Sequence, residues 1–489
     1  MTNEEAPVRH ILSPGSYGIQ WFLPSSEGHE TPVHGDIDLQ SSMPPRGEMA
    51  FDGIPFEWEL NGSTKSAGFP QTTKYPVLRG KLRSNHDVFL IEAVVTAWLP
   101  NRAIVDARCA LVGLGNPSAV DQFTSIRIQT SFLDRLSGLA PITSTSIPME
   151  GHEEPLKWWA QQAESLQQIW TSTNAKLALG FDCRARTGDP YEFTVRYSPI
   201  VTADFPTPAS LDEVVNNWID PLRGVSTIAM GKKSEVTFVA LSPVVEDQDL
   251  TSKSSSYFQL YGSGISQQPF AASSVGSVTS RPALRFTADG ISLLSLIEGW
   301  QQHVAAGHPL FETYASVLGV PDDHPRNRFL LLLQALEGHY GKVNTADLAD
   351  RQKEFDLDRS RHLDVIESSK HLDKDTRKFI KKYLSRKPPQ GLDTSLRWAV
   401  KTLPSNVDSR IADSELVKAV LRDHESINDW SNALRQIRND LAHGNRSYDV
   451  LELLPLTRTL DQVVRAHILK SLGADDDALK EMLIADTRG

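Results

Sequence analysis

Between Leu434 and Asp449 the chain reads LRQIRNDLAHGNRSYD. Its apolar residues recur at helical spacing, and the same stretch carries Arg438, Asn439 and His443 before Gly444 and Asn445 end the pattern. Each of the three polar types suits one task. Histidine accepts or donates a proton near neutral pH. Arginine keeps its charge and offers a planar fork of donors that matches a phosphate. Asparagine can orient the imidazole, the phosphate or a backbone group. Together they could move a proton and offset charge building on phosphoryl oxygens without a metal. A helix C-terminus also favours the imidazolium form of a histidine placed there, which suits a part as acid.

Helical geometry sets a condition on that chemistry. Five positions rotate about 500°, so Arg438 and His443 point roughly 140° apart around one helix axis. Either the last turn unwinds at Gly444, or a second copy of the helix completes the site. A second Arg-to-His spacing, Arg79 and His86 in RGKLRSNH, reads as a polar turn between strands because nothing around it is helical.

The elements that must position these residues change character along the chain. VFLIEAVVTAWL (88–99), ARCALVGLG (107–115), TSIRIQTSF (124–132), AKLALGFDC (175–183), YEFTVRYSPIV (191–201), SEVTFVALSPVV (234–245) and YFQLYGSG (257–264) are β-branched and aromatic runs broken by turn residues. They predict antiparallel sheets in a sandwich or open barrel. One helix interrupts them at 210–225, with Ser210 and Glu213 as a capping box and Pro221 expected to kink or end it. The tryptophans of KWWAQQAESLQQIW (157–170), Trp158, Trp159 and Trp170, fit an amphipathic helix over a satellite core, with a binding platform as the alternative. From about residue 288 the periodicity is helical. NRFLLLLQALEGHY (327–340) predicts one strong helix with Gly341 as its C′ residue. A charged helical stretch follows (344–385), then a break at KPPQG (387–391), then helices near 393–403, 413–424, 427–443, 451–472 and 475–485.

Bulk composition excludes several classes. The 489 residues carry a net charge of −11, against a protein that coats nucleic acid. The charge is uneven: residues 326–489 hold 28 Lys+Arg against 26 Asp+Glu, so the acidity belongs to the first 325 residues. The densest basic stretch, RKFIKKYLSRK (377–387), is either a solvated helix face or a patch that attracts phosphate. Cys109 and Cys183 form no CxxC or Cys/His cluster, and His303 and His308 lack a third ligand, so no metal or cofactor is expected. The start, MTNEEAPVRH, lacks an apolar run and FLLLLQAL (329–336) is too short to span a bilayer, so a cytoplasmic, non-membrane protein is expected. The β-rich part carries no GxSxG, P-loop, HExxH or dinucleotide fingerprint.

RNDLAHG inside a helical region resembles the R-x4–6-H motif of HEPN domains, all-α domains found in many prokaryotic ribonucleases. LQALEGHY resembles the first long helix of such a domain, with Glu337 facing inward. Glu337 reads more plainly as a structural partner than as a catalytic acid, and His339 and Tyr340 as packing or surface residues. GIQWFLP (18–24), VHGDIDL (33–39) and the strands after them are similar to the N-terminal domain of ApeA-type proteins, which precede a HEPN domain with a β-rich one and are associated with anti-phage defence by abortive infection. The resemblance implies an α+β multidomain chain: a β-rich N-terminal domain (1–285), a helical linker (286–325) and an all-α HEPN helical bundle (326–489). It implies an endoribonuclease that uses the RNA 2′-hydroxyl as nucleophile, with Arg438 and His443 catalytic, Asn439 and Glu337 supporting, and 2′,3′-cyclic phosphate and 5′-hydroxyl ends as products. The implied partners are RNA, tRNA as the family-level substrate, a second copy paired through the HEPN domain, and a phage-derived trigger at the N-terminal domain. A non-catalytic HEPN dimerisation or RNA-binding scaffold with a ligand-sensing β domain is the alternative. Some HEPN toxins carry a Tyr two positions after the His that a partner nucleotidyltransferase modifies; here Asn445 stands there, and the nearest Tyr is Tyr448.

Overall fold

The computed structural model describes the chain except residues 1–5, 25–28, 52–58, 62–63, 67, 69, 100, 116, 118, 147–158, 190–191, 245–256, 271–281, 288–289, 320–323, 370, 385–390 and 486–489. It divides into two units, Met1–Glu298 and Gly299–Gly489. The first unit is built on strands β1 (Gly15–Pro24), β2 (Glu30–Leu39), β3 (Arg46–Ala50), β4 (Glu59–Asn61), β5 (Thr64–Ser66), β6 (Gln71–Leu82), β7 (Asp87–Leu99), β8 (Arg102–Asp106), β9 (Cys109–Gly113) and β10 (Ala119–Thr130). It continues with β11 (Ile142–Ser146), β12 (Trp159–Gln162), β13 (Gln167–Thr171), β14 (Lys176–Asp189), β15 (Glu192–Ser210), β16 (Val236–Val244) and β17 (Phe258–Gly262).

The long β7 decides the topology. Its residues pair with β6 on one side and, on the other, with β9 near its start and β8 near its end. Because β6, β1, β2, β3 and β8 also pair in that order, the six strands close into a barrel. From β9 the sheet runs on through β17, β16, β10, β15 and β14 to β13. Closure removes the free edge that β8 would otherwise expose, while the sheet still ends at β13.

Alternation fills the barrel with Ile19, Trp21, Val33, Ile37, Met49, Leu78, Leu90 and Val95. Trp21 is fully buried, and its Nε1 donates to the Glu48 carbonyl at 3.1 Å. Three glycines on neighbouring strands make room for it. A Cβ at Gly35 would stand 1.9 Å from the Glu48 carbonyl oxygen and 2.8 Å from Trp21 Nε1. One at Gly47 would come within 2.9 Å of Trp21 Cζ2, and one at Gly80 within 2.5 Å of Ile19 Cδ1. Gly35→Ala is therefore expected to force β3 outward and lower the stability of the N-terminal unit by about 3 kcal/mol, read as an earlier denaturant midpoint.

Three expectations for this unit need correction. The described part of 157–170 is not a helix: β12 pairs with β11, and β13 pairs with β14. Along β13, Gln168 and Trp170 are buried while their neighbours face out, which is the two-residue period of a strand. Trp159 is exposed on β12, and Trp158 lies outside the described residues. Of the two outcomes expected at Pro221, a kink or an end, the end does not occur, and the helix is instead distorted just before the proline. A short helix, α1 (Leu133–Leu136), lies earlier; the Ser210–Glu213 capping box is present and opens α2 (Leu211–Val214), from which a π turn (Val215–Ile219) and α3 (Asp220–Met230) run on continuously. The π turn supplies new hydrogen-bond spacing where proline has no N–H to give, and Pro221 sits in the first turn of α3, where none is needed. Arg79 also lies within β6 rather than in the turn, its guanidinium 5.1 Å from the Phe22 ring centroid.

The second half is helical: α4 (Leu293–Ala305), α5 (Pro309–Gly319), α6 (Pro325–Val343), α7 (Thr345–Ser368), α8 (Lys374–Tyr383), α9 (Leu392–Lys401), α10 (Val407–Ala412), α11 (Glu415–Asp423), α12 (Trp430–His443), α13 (Val450–Ser471) and α14 (Asp476–Ala485). α6 is the central rod, packed by α5, α9, α12 and α13. Leu332, Leu333 and Leu336 of α6, Leu434, Ile437 and Leu441 of α12, and Leu456, Leu460 and Val463 of α13 are all buried. The segment expected as a linker is helical, and α5 packs on α6. Gly341 does not stop α6, which continues to Val343 and is capped at Asn344. The break at 387–391 falls largely outside the described residues, with α9 starting directly after Gly391.

Candidate active site at the end of helix α12

α12 begins at Asp429, whose carboxylate accepts the Asn432 N–H at 2.9 Å as an N-cap. It stays helical through His443 and ends at Gly444, which takes the left-handed conformation at φ 70°. The Asp440 carbonyl then accepts the N–H groups of both Gly444 and Asn445, closing the helix end. The last turn therefore does not unwind, and Arg438 and His443 keep their roughly 140° separation within one chain.

The exposure pattern places the three residues. Leu434, Ile437 and Leu441 hold the helix to the core, Arg438 and Asn439 are half-buried at its flank, and His443 is exposed. Arg438 Nη1 donates to Asn439 Oδ1 at 3.2 Å. Asn439 and His443, four positions apart, share one face. Asn439 thus stands between the two: hydrogen-bonded to the guanidinium and one turn from the imidazole. Glu337 is not brought to them. α6 touches the tip of α12 at its beginning, where Arg326 donates to the Leu441 carbonyl. Glu337 lies eleven residues further on, about 16 Å along the helix. It is half-buried and makes no hydrogen bond or ion pair among the described residues.

Sequence reasoning missed the residues that build the tip. Asp440 is 6% exposed, and its carboxylate accepts the Tyr448 hydroxyl at 2.6 Å and Gln436 Nε2 at 3.0 Å. Tyr448 is covered by Arg446, whose guanidinium lies 5.1 Å from the ring centroid and pairs with Asp423 at 3.0 Å. Burial and the Asp440 carboxylate push the Tyr448 hydroxyl well above its ordinary range, so it stays a donor. The loop after His443 is thereby strapped back onto α12. The signal was present as DxxxxxxxY, but only the turn at Gly444 brings those positions together. Tyr448→Phe should leave a buried carboxylate short of one donor and cost about 1–3 kcal/mol, read as a lower thermal midpoint.

On the N-terminal unit, Lys81, Gln20 and His34 are register partners across β6, β1 and β2. With Arg83 they line a cleft of about 320 Å³, a local basic face in an acidic region. No helix among the described residues is long and apolar enough to cross a membrane.

A family model described as ApeA N-terminal domain 1 matches residues 49–300, and one described as Apea-like HEPN matches residues 330–478. The chain belongs to the ApeA family. Its β-rich first half and helical second half are the two parts of that architecture. In this ApeA chain the matched N-terminal stretch starts after β1 and β2, which complete the barrel. The HEPN match contains α12 and the whole strap from Asp440 to Tyr448. No curated protein and no solved structure matches the chain.

Proposed function

We propose that this ApeA-family chain is a metal-independent endoribonuclease acting in cytoplasmic anti-phage defence, with two copies of the α12 tip forming one cleft. The observation that carries the reading is the tip itself: an intact helix end presents Arg438, Asn439 and His443 at the surface, strapped in place, with the cation and the imidazole on different sides. One copy cannot aim both at one phosphate, and a two-fold pair can.

In the proposed reaction the 2′-hydroxyl of RNA attacks the adjacent phosphorus. The bond from phosphorus to the 5′ oxygen breaks, leaving a 2′,3′-cyclic phosphate and a 5′-hydroxyl. His443 handles the proton, Arg438 binds the non-bridging oxygens as their charge grows, and Asn439 orients the pair. The acidic first half repels bulk RNA, and the Lys81–Arg83–His34 cleft is a place for a phage-derived trigger to bind. tRNA is the substrate class the family suggests. The test is end-group analysis of RNA incubated with the purified chain and EDTA. Cyclic phosphate and 5′-hydroxyl ends are expected; intact RNA from a triggered dimer would leave the non-catalytic scaffold instead.

A further inference from the structure

Helices α7 and α8 have no buried residue between them. α8 is nevertheless firmly anchored. Asp373 caps it by accepting Thr376 N–H at 2.6 Å, and Arg377 donates to the Leu372 carbonyl at 2.8 Å and the Ser369 carbonyl at 3.2 Å. Lys381 pairs with Glu367 of α7. Those contacts commit the inner face and leave two outer faces side by side. One carries Phe379 and Tyr383, 62% and 63% exposed, with ring centroids 4.5 Å apart. The other carries Lys374, Lys378 and Lys382, exposed and without a carboxylate partner among the described residues. Lys382 Nζ lies 5.2 Å from the Tyr383 ring centroid, so the two faces meet.

Exposed aromatics beside unpaired lysines are unusual on a chain of net charge −11. α7 does not share the character: its charges are mostly acidic, and its exposed large apolar residues, Leu357 and Val365, stand eight positions apart with no other exposed large apolar residue between them among the described residues. A continuous apolar seam for a second copy is therefore missing. The combination on α8 is the one that binds single-stranded nucleic acid, where bases stack on rings and lysines take the intervening phosphates.

We propose that α8 is an RNA-binding face, with Phe379 and Tyr383 stacking unpaired bases and Lys374, Lys378 and Lys382 contacting the flanking phosphates. This rests on the reading of RNA as substrate and adds where the strand is held away from the scissile bond. It also assigns Arg377 and Lys381, the other cations of α8, to structure rather than to binding.

The test uses the full chain carrying Arg438→Ala, so that RNA survives, and a fluorescent single-stranded RNA oligonucleotide followed by anisotropy over a salt series. Phe379→Ala with Tyr383→Ala should weaken binding about tenfold or more and leave the salt slope unchanged. Lys374→Gln, Lys378→Gln and Lys382→Gln together should flatten the slope of log K against log salt by about 2. Wild-type affinity and slope in both variants overturn the proposal. So does an unchanged RNA affinity accompanied by loss of the dimer in sedimentation, which would give this face to a second copy. RNA bound through α8 but never cut by the wild type would instead overturn the nuclease reading and leave α8 standing.

Discussion

Arg438→Ala and His443→Ala, on the proposed nuclease reading, should each lower RNA cleavage by about 10³-fold or more while leaving fold and oligomeric state unchanged. The structural argument is that neither side chain supports the core. Leu434, Ile437 and Leu441 hold α12 in place; His443 is exposed, and Arg438 gives up one hydrogen bond, to Asn439. Stability should change by no more than about 0.5 kcal/mol, as for most surface substitutions. A scaffold without catalysis predicts no change in RNA ends at all. Arg438→Lys separates charge from geometry: the ammonium keeps the cation and loses the fork, so partial activity is expected. Mixing the two alanine variants tests the shared cleft. If Arg438 of one protomer works with His443 of the other, mixed dimers regain one intact site, about a quarter of wild-type activity overall. A mixture as dead as its components, with subunit exchange shown by mass, would sink the shared cleft.

The same helix shows what a sequence discloses and what it hides. α12 was legible to its end because its core contacts and terminator are local, apolar spacing and a Gly behind; its start was not, since the expected 427 lies ahead of the Asp429 cap. The capping box at Ser210 and Glu213 was legible for the same reason, since three residues decide it. Barrel closure was not, because β7 must serve two neighbours at once, and β3 and β8, which complete the ring, are only five residues each. The 157–170 stretch misled because tryptophans at spacings of 11 and 12 fit helix and strand alike; pairing with β11 and β14 decided it. Pro221 misled because the rule that proline breaks a helix assumes α spacing before it, and a π turn changes that spacing. Asp440 and Tyr448 were invisible because a buried carboxylate in the last turn of an amphipathic helix reads as solvent-facing until its partner arrives from the next loop.

The histidines of the α-helical unit lead to a second large effect, in acid. His339 was expected as a packing or surface residue and is buried among rings. Centroid distances are 4.8 Å to His467, 5.4 Å to His308 and 5.4 Å to Trp398. Its Nδ1 is buried without a hydrogen-bond partner, while His467 Nε2 donates to the Ala399 carbonyl at 2.9 Å. Burial first, then the neighbouring histidines, push His339 down to about 3, and burial pushes His467 down to about 4. His308 is lowered as well, by burial, His303 and Lys342. These groups are neutral in the folded chain and titrate near 6.5 when unfolded, so the unfolded chain binds more protons below that value. The stabilisation is complete above about pH 6.5 and is lost as pH falls toward 3–4, at about 1.4 kcal/mol per pH unit for each histidine. With His339 and His467 together, the loss between pH 6 and pH 5 is about 2 kcal/mol, a large part of an ordinary domain's stability. Denaturant titrations at those two pH values should show the midpoint of the helical unit fall steeply. His339→Phe keeps a ring among its neighbours and removes the proton site, so it should halve the slope over that interval. Exposed carboxylates titrate lower and cannot mimic this between pH 6 and pH 5. Equal midpoints at the two values would mean that these imidazoles reach solvent, and the buried file of rings would have to be redrawn.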